Sequence, residues 1–188
     1  MLILSFILVI LLTGADQLIK HFIVLNYAQC SFPKAYYTFS IGKFDVFSIT
    51  HIRNDGAGWS ILSGQTVVLV TFTAVVMIGI LVYMIVKRKS ISRLEMFSLS
   101  LILAGGLGNL IDRIRMLTEA DFDGVVDYIN LEFMSFPVFN FADICVTVGG
   151  ACFVLCYIIL EIKDAIKRKA DKLAKSTADA ENKSDVEQ

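Results

Sequence analysis

The sequence predicts a membrane bundle of four transmembrane helices with a small extracytoplasmic β-sheet between helices 1 and 2. Three observations carry that expectation. The hydrophobic fraction of the 188 residues is 56%, with a mean hydropathy of +0.68, above the roughly 45–50% apolar usage of soluble domains. Four stretches have the length and charge-poor character that a helix rising about 1.5 Å per residue needs to cross the hydrocarbon. Lysine and arginine concentrate in two segments that flank those stretches. The 17 basic and 18 acidic residues leave a net charge of −1, which supplies no field for holding nucleic acid.

The first span, residues 1–25, is free of charge through Ala15 and then carries Asp16 and Lys20. It has no basic leader and no processing signal before Cys30, so it reads as a retained helix and not as a cleaved signal peptide. The second, 66–86, contains no charge and stops at Lys87-Arg88-Lys89. The third, 94–114, has its charge-free centre between Glu95 and Asp112, and the fourth, 141–162, is charge-free from Ile144 to Leu160.

Orientation follows from the bases. Lys87, Arg88, Lys89 and Arg93 lie between spans two and three, and Lys163, Lys167, Arg168, Lys169, Lys172 and Lys175 follow span four. Both segments belong in the cytoplasm, together with both termini. Residues 115–140 hold Arg115 against Glu119, Asp121, Asp123, Asp127 and Glu132 and face outward, as does the segment between spans one and two.

That outer segment, β-rich over residues 30–60, alternates apolar and polar residues from Phe39 to Ile52. It predicts two or three short strands over 36–53, with Gly42-Lys43 as a hairpin turn. Residues 1–162 thus form the membrane domain. Residues 163–188 form a basic helical extension suited to anionic lipid, then a polar run after Lys175 that reads as disordered.

Cys152 and Cys156 are spaced like half a metal site, but His21 and His51 are the two histidines and neither is near. Buried thiols are the expected role, with no metal and no cofactor.

Ionisable groups inside a membrane helix are costly and need a partner or a purpose. On the third span Gly105, Gly108, Asn109 and Asp112 share a face, beside Arg113, while Leu103, Leu107, Leu110 and Ile114 are expected to face lipid. On the fourth, Asn140, Asp143, Thr147 and Gly150 share another face. Each has a structural explanation: close packing at the glycines, an N-cap at Asn140, an i,i+4 ion pair of Asp16 with Lys20. Taken together they put polar groups from separate segments at one membrane depth. Asp127 and Asp143 stand out, because two carboxylates brought together share a proton, so that one can accept from water while the other donates to a substrate oxygen. An ion- or proton-coupled transporter is the alternative that also uses intramembrane Asp residues, although it wants them near the midplane. A non-enzymatic lipid-binding scaffold is a third.

The strings DQLIK (16–20), NDGAGWS (54–60), GGLGNLIDR (105–113), VVDYI (125–129) and FNFADI (139–144) resemble, in order, the motifs of the bacterial lipoprotein signal peptidase (signal peptidase II) family. The resemblance runs from the first span to the last. It implies an intramembrane aspartic endopeptidase of the bacterial inner membrane. Such an enzyme cleaves prolipoproteins immediately before the diacylglyceryl-modified cysteine, acts as a monomer near the outer leaflet, and is inhibited by globomycin-type cyclic peptides. It implies Asp127 and Asp143 as the catalytic pair. Asn54, Gly56, Asn109 and Arg113 would hold substrate, Asn140 would orient the pair, and Asp16 and Lys20 would be structural, with Gly105, Gly108 and Asp112 beside them. The sequence departs from the family pattern at Gly58-Trp59 and in a longer insert at Phe32–Phe39.

Overall fold

The structure is a computed structural model that describes residues 1–56 and 62–186, with side chains described as far as residue 169. Gly58-Trp59 therefore lies outside the described residues. The elements run α1 (Leu2–Asn26), β1 (Tyr37–Ile41), β2 (Phe44–Asn54), α2 (Thr66–Val86), α3 (Arg93–Thr118), β3 (Val125–Leu131) and α4 (Phe141–Val186). Four of them are long and apolar enough to cross a membrane, α4 over Phe141–Lys169.

α3 is the central post. Of its most apolar 18 residues 61% are buried, against 17% in each of the other three, and α1, α2 and α4 all pack on it. Leu103 and Leu110 are consequently buried and do not face lipid as the sequence pattern suggested. α1 and α2 cover that side of the helix, and helical periodicity cannot tell a lipid contact from a neighbouring apolar helix, since both are equally apolar. Close approach on the other side depends on small residues: a Cβ on Gly105 would run into the Ala142 carbonyl, and one on Gly108 into Asp16 and Ala142. The helix starts at an N-cap, with the Ser92 hydroxyl accepting from the Glu95 N–H at 3.1 Å.

At one end of the bundle sits a three-stranded antiparallel sheet in the order β1-β2-β3. β1 and β2 fall in the expected segment and turn at Gly42-Lys43, where Gly42 takes φ 65°, a left-handed conformation that a two-residue hairpin needs. The third strand comes from 125–131, a segment the sequence marked only as acidic and motif-bearing. It pairs with β2 so that Asp127 stands opposite Ile52 and Val125 opposite Asn54. At the far end of the bundle, α4 continues helical to Val186, past Lys175 where the sequence reading passes into disorder. Residues 151–186 contain neither glycine nor proline and are rich in Ala and Lys, a composition that favours helix.

Candidate active site

The start of α4 is where the polar residues converge. Asn140 precedes the helix and Asp143 lies three residues on, and the two make a reciprocal cap. The Asp143 N–H donates to Asn140 Oδ1 at 3.0 Å, and the Asn140 N–H donates to Asp143 Oδ2 at 3.0 Å. The other N–H groups of that first turn also have side-chain acceptors. Phe141 N donates to the Tyr128 hydroxyl at 3.1 Å and Ala142 N to Asp16 Oδ1 at 3.1 Å. A helix terminus so fully satisfied has little freedom to fray, which fixes where Asp143 projects.

The Asn140 side chain, fully buried, reaches across from α4 to β3. Its Nδ2 lies 2.7 Å from Asp127 Oδ1 and 3.0 Å from Asn109 Oδ1. Asn54, diagonal to Asp127 across the β2/β3 ladder, donates to the second oxygen of Asp127 at 3.0 Å, and its own oxygen accepts from Gly56 N at 3.0 Å. On α3, Asn109 donates to Asp143 Oδ1 at 2.8 Å. Each carboxylate thus has one donor on each of its oxygens. Both line one cavity of about 380 Å³ together with Asn54, Asn109 and Arg113. Apolar residues of the β3–α4 connection, Phe136, Pro137 and Val138, wall its other side. Burial and the neighbouring charge of Asp143 push the Asp127 carboxyl up to about 7, and the Asn54 and Asn140 hydrogen bonds and the charge of Lys20 offset this only in part.

Behind the pair lies a second layer. Lys20 Nζ contacts Asp16 Oδ2 and Asp112 Oδ2, both at 3.0 Å, and donates to Asn109 Oδ1 at 3.0 Å. All three charged side chains are buried. The i,i+4 pair is therefore part of a network joining α1 to α3 and, through Asp16, to the N-terminus of α4. Asp112 also accepts from Val126 N at 3.2 Å, which pins β3 beside Asp127. Arg113 donates to the Gly56 carbonyl at 3.3 Å and faces the cavity, while its buried Nε has no hydrogen-bond partner among the described residues.

The structure brings the sequence-selected residues Asn54, Asn109, Arg113, Asp127, Asn140 and Asp143 together, with Asp16, Lys20 and Asp112 one layer behind and Gly105 and Gly108 at the α3/α4 approach. Thr147 also lines the cavity, whereas Gly150 is not among its walls. Two participants escaped the sequence reading. Gln17 Nε2 joins Asp16 Oδ2 (3.2 Å), Asp112 Oδ1 (3.2 Å) and the Gly108 carbonyl (3.1 Å); Tyr128 accepts the α4 N–H. Both sit inside the quoted motifs, beside Asp16 and Asp127, and that adjacency was the available signal.

A buried carboxyl beside a half-buried one, sharing a proton, can activate water and protonate a carbonyl oxygen. Comparison with known proteins agrees with a membrane peptidase. The family described as signal peptidase (SPase) II matches residues 8–159. The chain belongs to this family. The lipoprotein signal peptidase of Enterococcus faecalis is 34% identical over 174 residues, covering 90% of this chain and 96% of the relative. That of Lactococcus lactis strain IL1403 is 39% identical over 155 residues, covering 81% and 91%. A bacterial membrane enzyme solved by the in meso method at 2.3 Å resolution superposes with a TM-score of 0.66 at 28% identity, covering 82% of this chain and 87% of the other. With four helices long and apolar enough to cross a membrane, this signal peptidase II family member is a multi-pass membrane protein, and its class of chemistry is peptide hydrolysis.

Proposed function

We propose that the chain removes signal peptides from prolipoproteins, cutting immediately before the diacylglyceryl-modified cysteine, with Asp127 and Asp143 as the catalytic pair. The observation that carries this reading is the meeting of the two carboxylates in one largely apolar cavity, each held on both oxygens by hydrogen-bond donors.

In this mechanism Asp127, whose carboxyl burial raises to about 7, carries the proton of the pair and Asp143 is the proton acceptor. Asp143 accepts a proton from a water held between the two as the water oxygen attacks the scissile carbonyl carbon, and Asp127 gives its proton to the carbonyl oxygen. The tetrahedral intermediate then collapses: the C–N bond breaks, Asp143 returns its proton to the leaving nitrogen and Asp127 recovers one from the hydroxyl. Asn54 and Asn140 orient Asp127, and Asn109 and Asn140 orient Asp143. The Arg113 guanidinium, whose Nε has no hydrogen-bond partner among the described residues, and the Gly56 backbone hold the substrate chain.

By the distribution of lysine and arginine, the sheet end faces outward from the bacterial inner membrane. Both termini, and the basic extension after residue 162, then lie in the cytoplasm, and the pair sits near the outer leaflet. The enzyme works as a monomer and is blocked by globomycin-type cyclic peptides.

The test uses the purified full-length protein in detergent with a diacylglyceryl-modified precursor peptide and the same peptide without lipid. Mass spectrometry of the products is expected to show a new N-terminus at the modified cysteine, from the lipidated peptide alone. Equal cleavage of both peptides, or a cut elsewhere, would overturn the substrate assignment.

A further inference from the structure

Below the two carboxylates a second groove, of about 320 Å³, descends between α2, α3 and α4. Asn109, Arg113, Asp143 and Thr147 form its polar mouth, and Phe72, Val76, Met77, Ile102 and Val146 form its apolar length. From Asn109 to Ile102 it follows seven residues of α3, about 10 Å. An apolar length beneath a polar mouth suits a hydrocarbon chain whose polar attachment point stays at the mouth. On the other side of α2 lies a wholly apolar groove of about 450 Å³, walled by Phe6, Val9, Ile78, Leu81 and Leu107.

Met77 is the residue common to both grooves. It is buried, and its thioether end rests on Gly106, where an added Cβ would collide with its Sδ and Cε. The absence of a side chain at position 106 is what lets Met77 lie flat between the two spaces. An unbranched, flexible side chain is suited to filling such a gap.

We propose that the α2–α3–α4 groove takes one acyl chain of the substrate's diacylglyceryl group, and that Met77, seated on Gly106, is the partition that limits the length of chain accepted. This rests on the peptidase reading above. The mouth of the groove is shared with Asp143, so a chain entering it is attached close to the scissile bond. The methionine end is the obstacle to passing from this groove into the wider apolar space behind α2.

The experiment measures kcat/KM of the full-length protein in detergent for one precursor peptide carrying octanoyl, lauroyl, palmitoyl or stearoyl chains. Met77→Ala is expected to raise the stearoyl-to-octanoyl ratio, and Met77→Phe to lower it, each on the order of ten-fold. Gly106→Ala, which pushes the native methionine into the groove, is expected to act like Met77→Phe. Met84→Ala, buried on the same α2 face two turns away and no part of this groove, is expected to change all four substrates alike. If the larger changes prevent folding, Gly106→Ala and Met77→Val, a smaller truncation than Met77→Ala, give the same reading. An unchanged ratio in variants that still cleave the octanoyl peptide would overturn the role of Met77 and leave the peptidase reading intact. The same variants are assayed on a second precursor with a different signal-peptide sequence, and a response to that sequence in place of chain length would overturn the acyl occupant. A wild-type protein that cleaves none of the four would overturn the peptidase reading itself.

Discussion

The two halves of α3 place polar residues in opposite ways. In the half away from the sheet, Ser98 and Ser100 are fully buried among Met96, Leu99, Leu103 and Ala104. Their hydroxyls return to the carbonyls one turn back, Leu94 at 2.8 Å and Met96 at 2.7 Å. In the half beside the sheet, Asn109 and Asp112 bond to α1, α4 and β3. A polar group satisfied within its own helix is nearly neutral and positions nothing else. One satisfied across elements fixes their relation, and its loss leaves the partner buried and unpaired. The apolar half is held by packing and the polar half by a network, and the two respond to different substitutions.

Lys20→Met gives the largest expected effect. It strands the Asp16 and Asp112 carboxylates without their cation, and breaking a buried charge cluster in this way costs about 3–5 kcal/mol. Thermal unfolding in detergent reads it, and a variant as stable as the parent would erase the distinction between the halves. Leu99→Ala, in the packed half, is expected to cost about 2–3 kcal/mol through its cavity, with cleavage per folded molecule unchanged. A fall in kcat in this variant would mean that the packed half also positions the carboxylates. Tyr128→Phe removes the acceptor for the Phe141 N–H, a loss of about 1–3 kcal/mol. Because Asp143 lies in the same helical turn, kcat should drop several-fold while KM holds. Smallest is the response to pH. Burial raises Asp127 to about 7, so its proton is present below that value and is lost as pH rises through it. kcat/KM should then fall above pH ~7, towards ten-fold or about 1.4 kcal/mol per unit, and a profile flat from neutral into alkaline pH would count against the shared proton.

The four spans and the β1–β2 hairpin were legible because hydropathy, charge and turn chemistry are local properties. So was the Asn140 cap, whose two partners are three residues apart. The pairing of β3 with β2 was not legible. It joins Asn54 to Val125 across the whole of α2 and α3, and no local pattern encodes such a partner. For the same reason, Asp16 and Lys20 read as a simple helix pair, since Asp112 and the α4 N-terminus lie about a hundred residues further along the chain. Asn54 shows a different limit. Motif resemblance assigned it to substrate, whereas in the folded protein its Nδ2 donates to Asp127, so it also orients the candidate acid.

Cleavage of the diacylglyceryl-modified precursor by Asp127→Asn and Asp143→Asn, each purified in detergent and shown to be folded, tests the pair most directly. Either change should reduce the rate on the order of 10³-fold or more, because it removes one of the two proton-transfer groups. Near-normal cleavage by either variant would contradict the assignment of the two carboxylates as the catalytic pair.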